Sequence, residues 1–250
     1  MSNSYSPIFN YDYFAKMISG VDNQLWRTKF ICRMIEKRVP IYNYIKKKGN
    51  GGRLLDIGCG LGLFLTFVEP YFETYGIDIS FYATRLAKQN ASMSKIFTAD
   101  ISKPLSFKNN YFDIVTSFDI LEHLKRPEIV IKEIYRVVKP GGVLAISTPN
   151  PSSLGHMIKK NKWYGFQDVT HISIETDNEW VEILENHHFN IVKKFYDFLW
   201  DFPYLSCLPA LIRKPIEAIL LFCPTFFLYI LGLNYCNLLG ENTLIICEKK

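Results

Sequence analysis

A chain of 250 residues with a 48% hydrophobic composition has enough apolar surface for one large core, which excludes an intrinsically disordered protein. Its formal net charge of +5 comes from scattered basic residues and short lysine runs, a distribution that does not indicate nucleic acid as a partner. The six cysteines form no CxxC pair and have no histidine at ligand spacing, so the sequence indicates neither a zinc site nor a disulfide framework.

The N-terminal part, residues 1–49, predicts helices rich in tyrosine and phenylalanine, which we interpret as a helical lid. Tyr11, Tyr13 and Trp26 are its candidate ligand contacts, although packing into a core is the commoner reason for such aromatic residues. No basic patch precedes an apolar run here, so we expect no secretory signal, reduced thiols and a cytoplasmic location.

Residues 50–202 alternate short apolar runs with longer helical segments, a pattern typical of βαβ units and a parallel sheet. The predicted strands are RLLDI, ETYGID, SKIFTAD, FDIVTSF, GVLAIST, FNIVKKFYDFL and, at the end of the chain, GENTLIICEKK. Helices are predicted over residues 80–90 and 127–138, and a third over 177–186 behind a capping box formed by Thr176 and Glu179. These features predict one α/β core over residues 50–202 that is completed by a final strand in 241–250.

The segment 203–240 interrupts this core between its last two strands, and its residues 218–240 carry no charge. It is about long enough to cross a bilayer, but the two flanking strands must join one sheet, so both ends stay on the same side. Pro224 and Gly232 also interrupt it. We expect a helical hairpin that either roofs the active site or lies in a membrane interface, with Arg213 and Lys214 facing head groups. An ordinary buried insertion is the alternative.

The run LLDIGCGLG at residues 54–62 forms a glycine loop after the first strand. It lacks the lysine and hydroxyl with which a P-loop binds phosphate, which excludes a triphosphate ligand. Its spacing, Gly58-x-Gly60-x-Gly62, differs from the GxGxxG of a dinucleotide site, and an NAD-dependent oxidoreductase is therefore disfavoured. Asp56 would repel a pyrophosphate but suits a ligand with a cationic end.

Five runs in order resemble the class I S-adenosylmethionine-dependent methyltransferases, in particular the type 11 group of quinone and glycan biosynthesis. They are DIGCGLG, GIDIS, TADIS, FDIVTSFDILEHL and RVVKPGGVLAISTPN, within residues 54–150. The resemblance implies a Rossmann-like seven-stranded sheet whose last strand is antiparallel, with helices on both faces. It also implies that S-adenosyl-L-methionine is the cofactor.

The same resemblance implies the residues that would bind the cofactor. Asp78 would accept the two ribose hydroxyls, and Asp100 would accept from the adenine amino group while Ile101 packs on the ring. The remaining implied cofactor contacts are Asp56, Gly58, Gly60, Gly62, Ile79 and Phe118.

A hydroxyl acceptor must lose a proton during methyl transfer, which favours a nearby histidine or carboxylate. The run DVTHIS resembles a segment that lies beside the substrate pocket in related methyltransferases, so His171 is the first candidate for a base or substrate contact. His123, in DILEHL, is the second candidate. Their alternative roles are to order the loop and to brace the helix after the fourth strand, respectively.

We therefore expect a methyltransferase for a small-molecule or lipid-linked hydroxyl, with peripheral membrane contact through 203–240. An RNA or protein methyltransferase is one alternative, and it predicts a basic face beside the pocket. A non-catalytic methyltransferase-like binding module is the other.

Overall fold

The computed structural model describes residues 39–47, 51–231 and 233–250. The predicted lid, with Tyr11, Tyr13 and Trp26, lies outside the described residues except for one helix, α1. The strands are β1 Arg53–Ile57, β2 Glu73–Asp78, β3 Lys95–Thr98, β4 Phe112–Phe118, β5 Val138–Pro149, β6 Phe189–Tyr196 and β7 Asn242–Lys249. The helices are α1 Val39–Lys47, α2 Leu63–Val68, α3 Phe81–Asn90, α4 Pro127–Val137, α5 Leu154–Lys159, α6 Tyr164–Gln167, α7 Asp177–Asn186, α8 Ala210–Glu217 and α9 Cys223–Ile230.

All seven strands form one sheet in the order β3-β2-β1-β4-β5-β7-β6. Only β7 runs antiparallel to its neighbours, β5 and β6. The strand order reverses between β1 and β4, which pair in parallel, and ligands of such sheets bind at the carboxyl ends of the strands beside this reversal. The Rossmann-like sheet with an antiparallel last strand is thus confirmed, and the glycine loop follows β1 at the reversal.

Buried apolar residues form two clusters, as expected for a sheet covered on both faces. Helices α4 and α7 contribute Ile134 and Trp180 to one cluster, while α2 and α3 contribute Phe64 and Ala87 to the other. The predicted capping box of α7, formed by Thr176 and Glu179, is confirmed, and Ser80 caps α3. Strand β5 begins earlier than predicted because Val138 pairs with Phe112 before a register shift.

The insertion between β6 and β7 contains helical turns but is not a helical hairpin. Helix α8 continues through a π-helical stretch, Ala218–Phe222, directly into α9. Pro224, which predicted a break, lies directly after the π-helical stretch as the second residue of α9, and the helical run continues through it. None of the helices in the described parts of the chain combines the length and apolar character needed to span a membrane.

Candidate active site at the carboxyl ends of the strands

The glycine loop folds over the end of β2. The amides of Gly58 and Cys59 both donate to the carbonyl of Ile77, at 2.7 and 2.9 Å. Gly58 and Gly60 have φ values of 72° and 51°, in the left-handed region that favours glycine. A Cβ at Gly58 would lie 2.0 Å from Ile120 Cδ1, whereas one at Gly60 would meet no atom within 4 Å. The loop is thus packed against β4's continuation on one side and opens into space at Gly60.

Two buried carboxylates flank this open space. Asp56 accepts a hydrogen bond from Thr116 Oγ1 at 2.7 Å. Asp78 accepts from the amides of Gly60, at 2.9 Å, and Ser80, at 2.8 Å. Burial raises the pKa of Asp78, and the amides that donate to it oppose that rise. Two acidic groups beside an open backbone loop fit a ligand with cationic and hydroxyl groups better than a pyrophosphate.

The structure brings the other predicted cofactor residues to the same edge of the sheet. Strand β3 pairs with β2 so that Thr98 lies beside Asp78, and Asp100 follows two residues later. The Asp100 carboxylate accepts from the amide and hydroxyl of Ser102, at 3.0 and 2.6 Å. Burial raises the pKa of Asp100, but these bonds and Lys103 outweigh it, so the net pKa lies below its usual value.

Three apolar side chains of the predicted set are half-buried around this edge. Ile79 lies between Asp78 and Ser80, and Ile101 packs against the buried cluster beneath β3. Phe118 ends β4 and contacts Phe64 edge-on, with ring centroids 5.1 Å apart. The roles of these three side chains toward the cofactor stay predictions.

The two predicted histidines lie against each other, although they come from distant segments. Thr170, the neighbour of His171, is 47 residues from His123 in the sequence. His123 ends the single turn Leu121–His123, which follows β4 and begins next to Ile120, the residue that contacts the glycine loop. The rings of His123 and His171 are 4.7 Å apart between centroids. The amides of Ile172 and Ser173 both donate to the carbonyl of Glu122, which joins the two segments.

A hydroxyl and a carboxylate determine the tautomer of His123. Thr170 Oγ1 donates to Asp168 Oδ1 at 2.5 Å, so toward His123 Nδ1, 2.8 Å away, it acts as the acceptor. Nδ1 therefore carries the hydrogen, and Nε2 holds the lone pair of the neutral ring. Burial and the neighbouring His171 lower the pKa of His123 to about 4, which keeps the ring neutral at physiological pH.

His171 is held by different partners. Its Nδ1 lies 2.7 Å from the carbonyl of Gly165, an arrangement that requires the hydrogen on this nitrogen. Its Nε2 lies 3.9 Å from Asp168 Oδ2, so Asp168 faces both imidazoles. The residues that pure sequence reasoning missed are Asp168 and Thr170, although both stand in the run DVTHIS that directed attention to His171.

Glu122 adds a carboxylate to the histidine pair. Ligand atoms of Glu122, His123 and His171 all lie within 4.8 Å of one another, a spacing that can hold a metal ion. No metal ligand was predicted from the sequence. The cluster therefore gives the site two chemical capacities, proton transfer through an imidazole and binding of a cation.

Comparison with known proteins decides the family. A family model described as a methyltransferase domain matches residues 24–194, more than half of the chain. The chain belongs to the methyltransferase family. Its cofactor is S-adenosylmethionine, which the open glycine loop and the carboxylates of Asp56 and Asp78 fit. When bound, this cofactor supplies an activated methyl group.

This methyltransferase aligns with different fractions of its relatives' lengths. It is 28% identical over 190 residues to the uncharacterized protein MJ1252 of Methanocaldococcus jannaschii, covering 75% of this chain and 70% of that one. It is 30% identical over 129 residues to a ubiquinone biosynthesis O-methyltransferase of Haemophilus ducreyi, covering 47% of this chain and 55% of the relative. The chain thus spans about half the length of that enzyme.

A solved structure shows the same fold. A SAM-dependent methyltransferase from Archaeoglobus fulgidus aligns with a TM-score of 0.63 at 24% identity, over 96% of this chain and 99% of that one.

Proposed function

We propose that this methyltransferase transfers the methyl group to a hydroxyl oxygen of a small-molecule or lipid-linked acceptor, with His123 Nε2 accepting the hydroxyl proton. The observation that carries this proposal is the neutral His123 ring, whose tautomer is set by Thr170 and Asp168, on the turn beside the glycine loop. Relatives named ubiquinone biosynthesis O-methyltransferase and malonyl-[acyl-carrier protein] O-methyltransferase support oxygen as the acceptor atom.

The residues of the site have different proposed roles, according to their positions. Asp78 would hold the ribose hydroxyls, and the open backbone at Gly60 would leave room for the cofactor, whose activated methyl group these contacts would help to orient. His123 then removes the proton that the attacking hydroxyl must lose. His171 contacts the acceptor and, through its position next to His123, holds the pKa of that ring low.

The first experiment measures transfer of labelled methyl groups from S-adenosylmethionine into a cell extract that is then separated into organic-soluble and aqueous fractions. Asp78→Ala is the control because it removes the predicted ribose contact. Label in the organic fraction that disappears with Asp78→Ala supports a lipid-linked acceptor. Label only in aqueous RNA or protein, or no transfer at all, would refute the proposal.

Once the acceptor is known, pH profiles test the assigned base. For His123→Gln we expect kcat to fall by about 10²–10⁴, with cofactor binding by calorimetry unchanged. For His171→Gln we expect the acidic limb of the kcat/KM profile, near pH 4 in the wild type, to move upward, because the neighbour that lowers the pKa of His123 is gone. An unchanged kcat in His123→Gln would contradict the assignment. Repeating both profiles with EDTA and with added magnesium shows whether the cluster with Glu122 needs a cation.

A further inference from the structure

The outer side of the insertion exposes apolar side chains where a surface helix normally exposes polar ones. Along α8, the π-helical stretch and α9, Leu211 is 89% exposed, Leu220 66%, Ile219 65% and Phe227 64%. The inner side has Thr225, whose hydroxyl accepts from the amide of Leu199. This helical run is therefore fixed to the core by one side and presents an apolar surface on the other.

Exposed charge on this helical run lies at its start, where α8 carries Lys214. Between residues 215 and 240 the sequence contains one acidic or basic residue, Glu217. Glu217 is buried, accepts from the amides of Tyr204 and Leu205, each at 2.7 Å, and lies 3.7 Å from Arg213 Nε. The exposed residues of this stretch thus form an uncharged surface, which in a monomeric protein marks an interaction site.

A basic groove borders the start of the insertion. Lys160 and Lys162 line it from one side, and Pro203 and Ser206 from the other. Lys159, the third lysine there, is neutralised by Asp201 at 2.5 Å, so the groove's excess charge comes from Lys160 and Lys162. Met157 and Ile158, two further exposed apolar residues, lie in the same segment. At the start of the insertion, positive and apolar side chains therefore share one surface region.

We infer that this surface binds an anionic lipid bilayer, with Leu211, Ile219, Leu220 and Phe227 in the interface and Lys160 and Lys162 on lipid phosphates. An uncharged apolar helix lying in the interface beside basic residues is the pattern that such binding requires, because apolar burial and phosphate attraction add. A second copy of the chain would bring two positive grooves together, which opposes self-association through this surface. Binding itself is independent of methyl transfer; delivery of a lipid-linked acceptor rests on the proposed function.

The experiment is co-sedimentation of the full chain with vesicles of phosphatidylcholine, with and without phosphatidylglycerol. We expect binding to the anionic vesicles that weakens with added salt. The double variant Ile219→Ser with Leu220→Ser should reduce the affinity for anionic vesicles more than about tenfold. Any binding of the wild type to neutral vesicles should fall by a similar factor. Lys160→Gln with Lys162→Gln should reduce the affinity about tenfold on anionic vesicles only.

Two matched variants control for these changes. Met93→Ser with Ile129→Ser removes two other exposed apolar side chains, and Lys88→Gln with Lys108→Gln removes two other exposed lysines. Both should bind vesicles like the wild type, and every variant is checked for folding by cofactor binding. Equal losses in test and control variants, or no vesicle binding together with a dimer that Ile219→Ser and Leu220→Ser dissolve, would overturn the inference. Neither result depends on finding the methyl acceptor.

Discussion

Replacing Glu241 by glutamine tests the energetic cost of a carboxylate that the fold buries outside the candidate active site. The Glu241 carboxylate is fully buried at the start of β7 and accepts from Trp163 Nε1 at 2.6 Å, from Ser153 Oγ at 3.1 Å and from Tyr204 OH. The carbonyl oxygen of a glutamine still accepts from Trp163 and Ser153. Its amide can donate to the Tyr204 oxygen, which reverses the bond that Tyr204 donates to the carboxylate.

The expected effect follows from the pKa of this carboxyl. Burial, with help from nearby Asp197 and Asp201, raises the pKa of Glu241 from 4.5 to about 7. Between these values the folded chain keeps a proton that the unfolded chain has lost, so the free energy of unfolding falls as pH rises and levels off above about 7. The difference between the two pKa values corresponds to a loss of about 3 kcal/mol in the free energy of unfolding above neutral pH.

The assay is urea-induced unfolding of wild type and Glu241→Gln at pH 5 and pH 8. We expect the two proteins to converge toward pH 5 and the glutamine variant to be more stable by up to about 3 kcal/mol at pH 8. Glu182→Gln, at an exposed position on α7, is the control and should follow the wild type at both pH values. If Glu241→Gln is as stable as the wild type at pH 8, or less stable, the hydrogen bonds to the carboxylate offset the cost of burying its charge, and the prediction is refuted.

Three further predictions concern the glycine loop and the helix caps. Gly60→Ala should leave the free energy of unfolding within about 1–2 kcal/mol of the wild type yet weaken S-adenosylmethionine binding in calorimetry, whereas Gly58→Ala should also destabilise strongly because its Cβ would collide with Ile120. Asp78→Asn should weaken cofactor binding at least about tenfold and also lower the melting temperature, because asparagine can accept from only one of the amides of Gly60 and Ser80. Thr176→Ala should cost about 1 kcal/mol of stability by urea unfolding, through loss of the capping box.

Much of the fold could be predicted because its signals are local. The strand β4 has the predicted bounds, and α7 begins and ends where its capping box and apolar face indicate. The glycine loop could also be predicted from the sequence, because three glycines at fixed spacing after a strand constrain the backbone. Sequence reasoning also selected His123 and His171, but from separate segments and with no basis for placing them together.

The parts that sequence could not predict depend on contacts between distant segments. The pairing of the two imidazoles requires Ile172 and Ser173 to bond the carbonyl of Glu122, which no local pattern encodes. The insertion was expected to form a helical hairpin interrupted at Pro224 and Gly232, but the helical run continues through Pro224, so a proline alone does not show where a helix ends. The burial of Glu241 could not be predicted from the sequence, because its hydrogen-bond partners come from three other segments.

Glu241 also connects the insertion with the histidine pair. Tyr204 binds it from the start of the insertion, and Trp163 binds it from the segment before α6. Gly165 then lies so close to the Trp163 ring that a Cβ would stand 2.1 Å from it, and the Gly165 carbonyl accepts from His171. Because these contacts are consecutive and buried, a displacement of the insertion must either break the bonds to Glu241 or shift Gly165. A continuous set of buried contacts therefore connects the start of the insertion, at Tyr204, with the residue that orients His171.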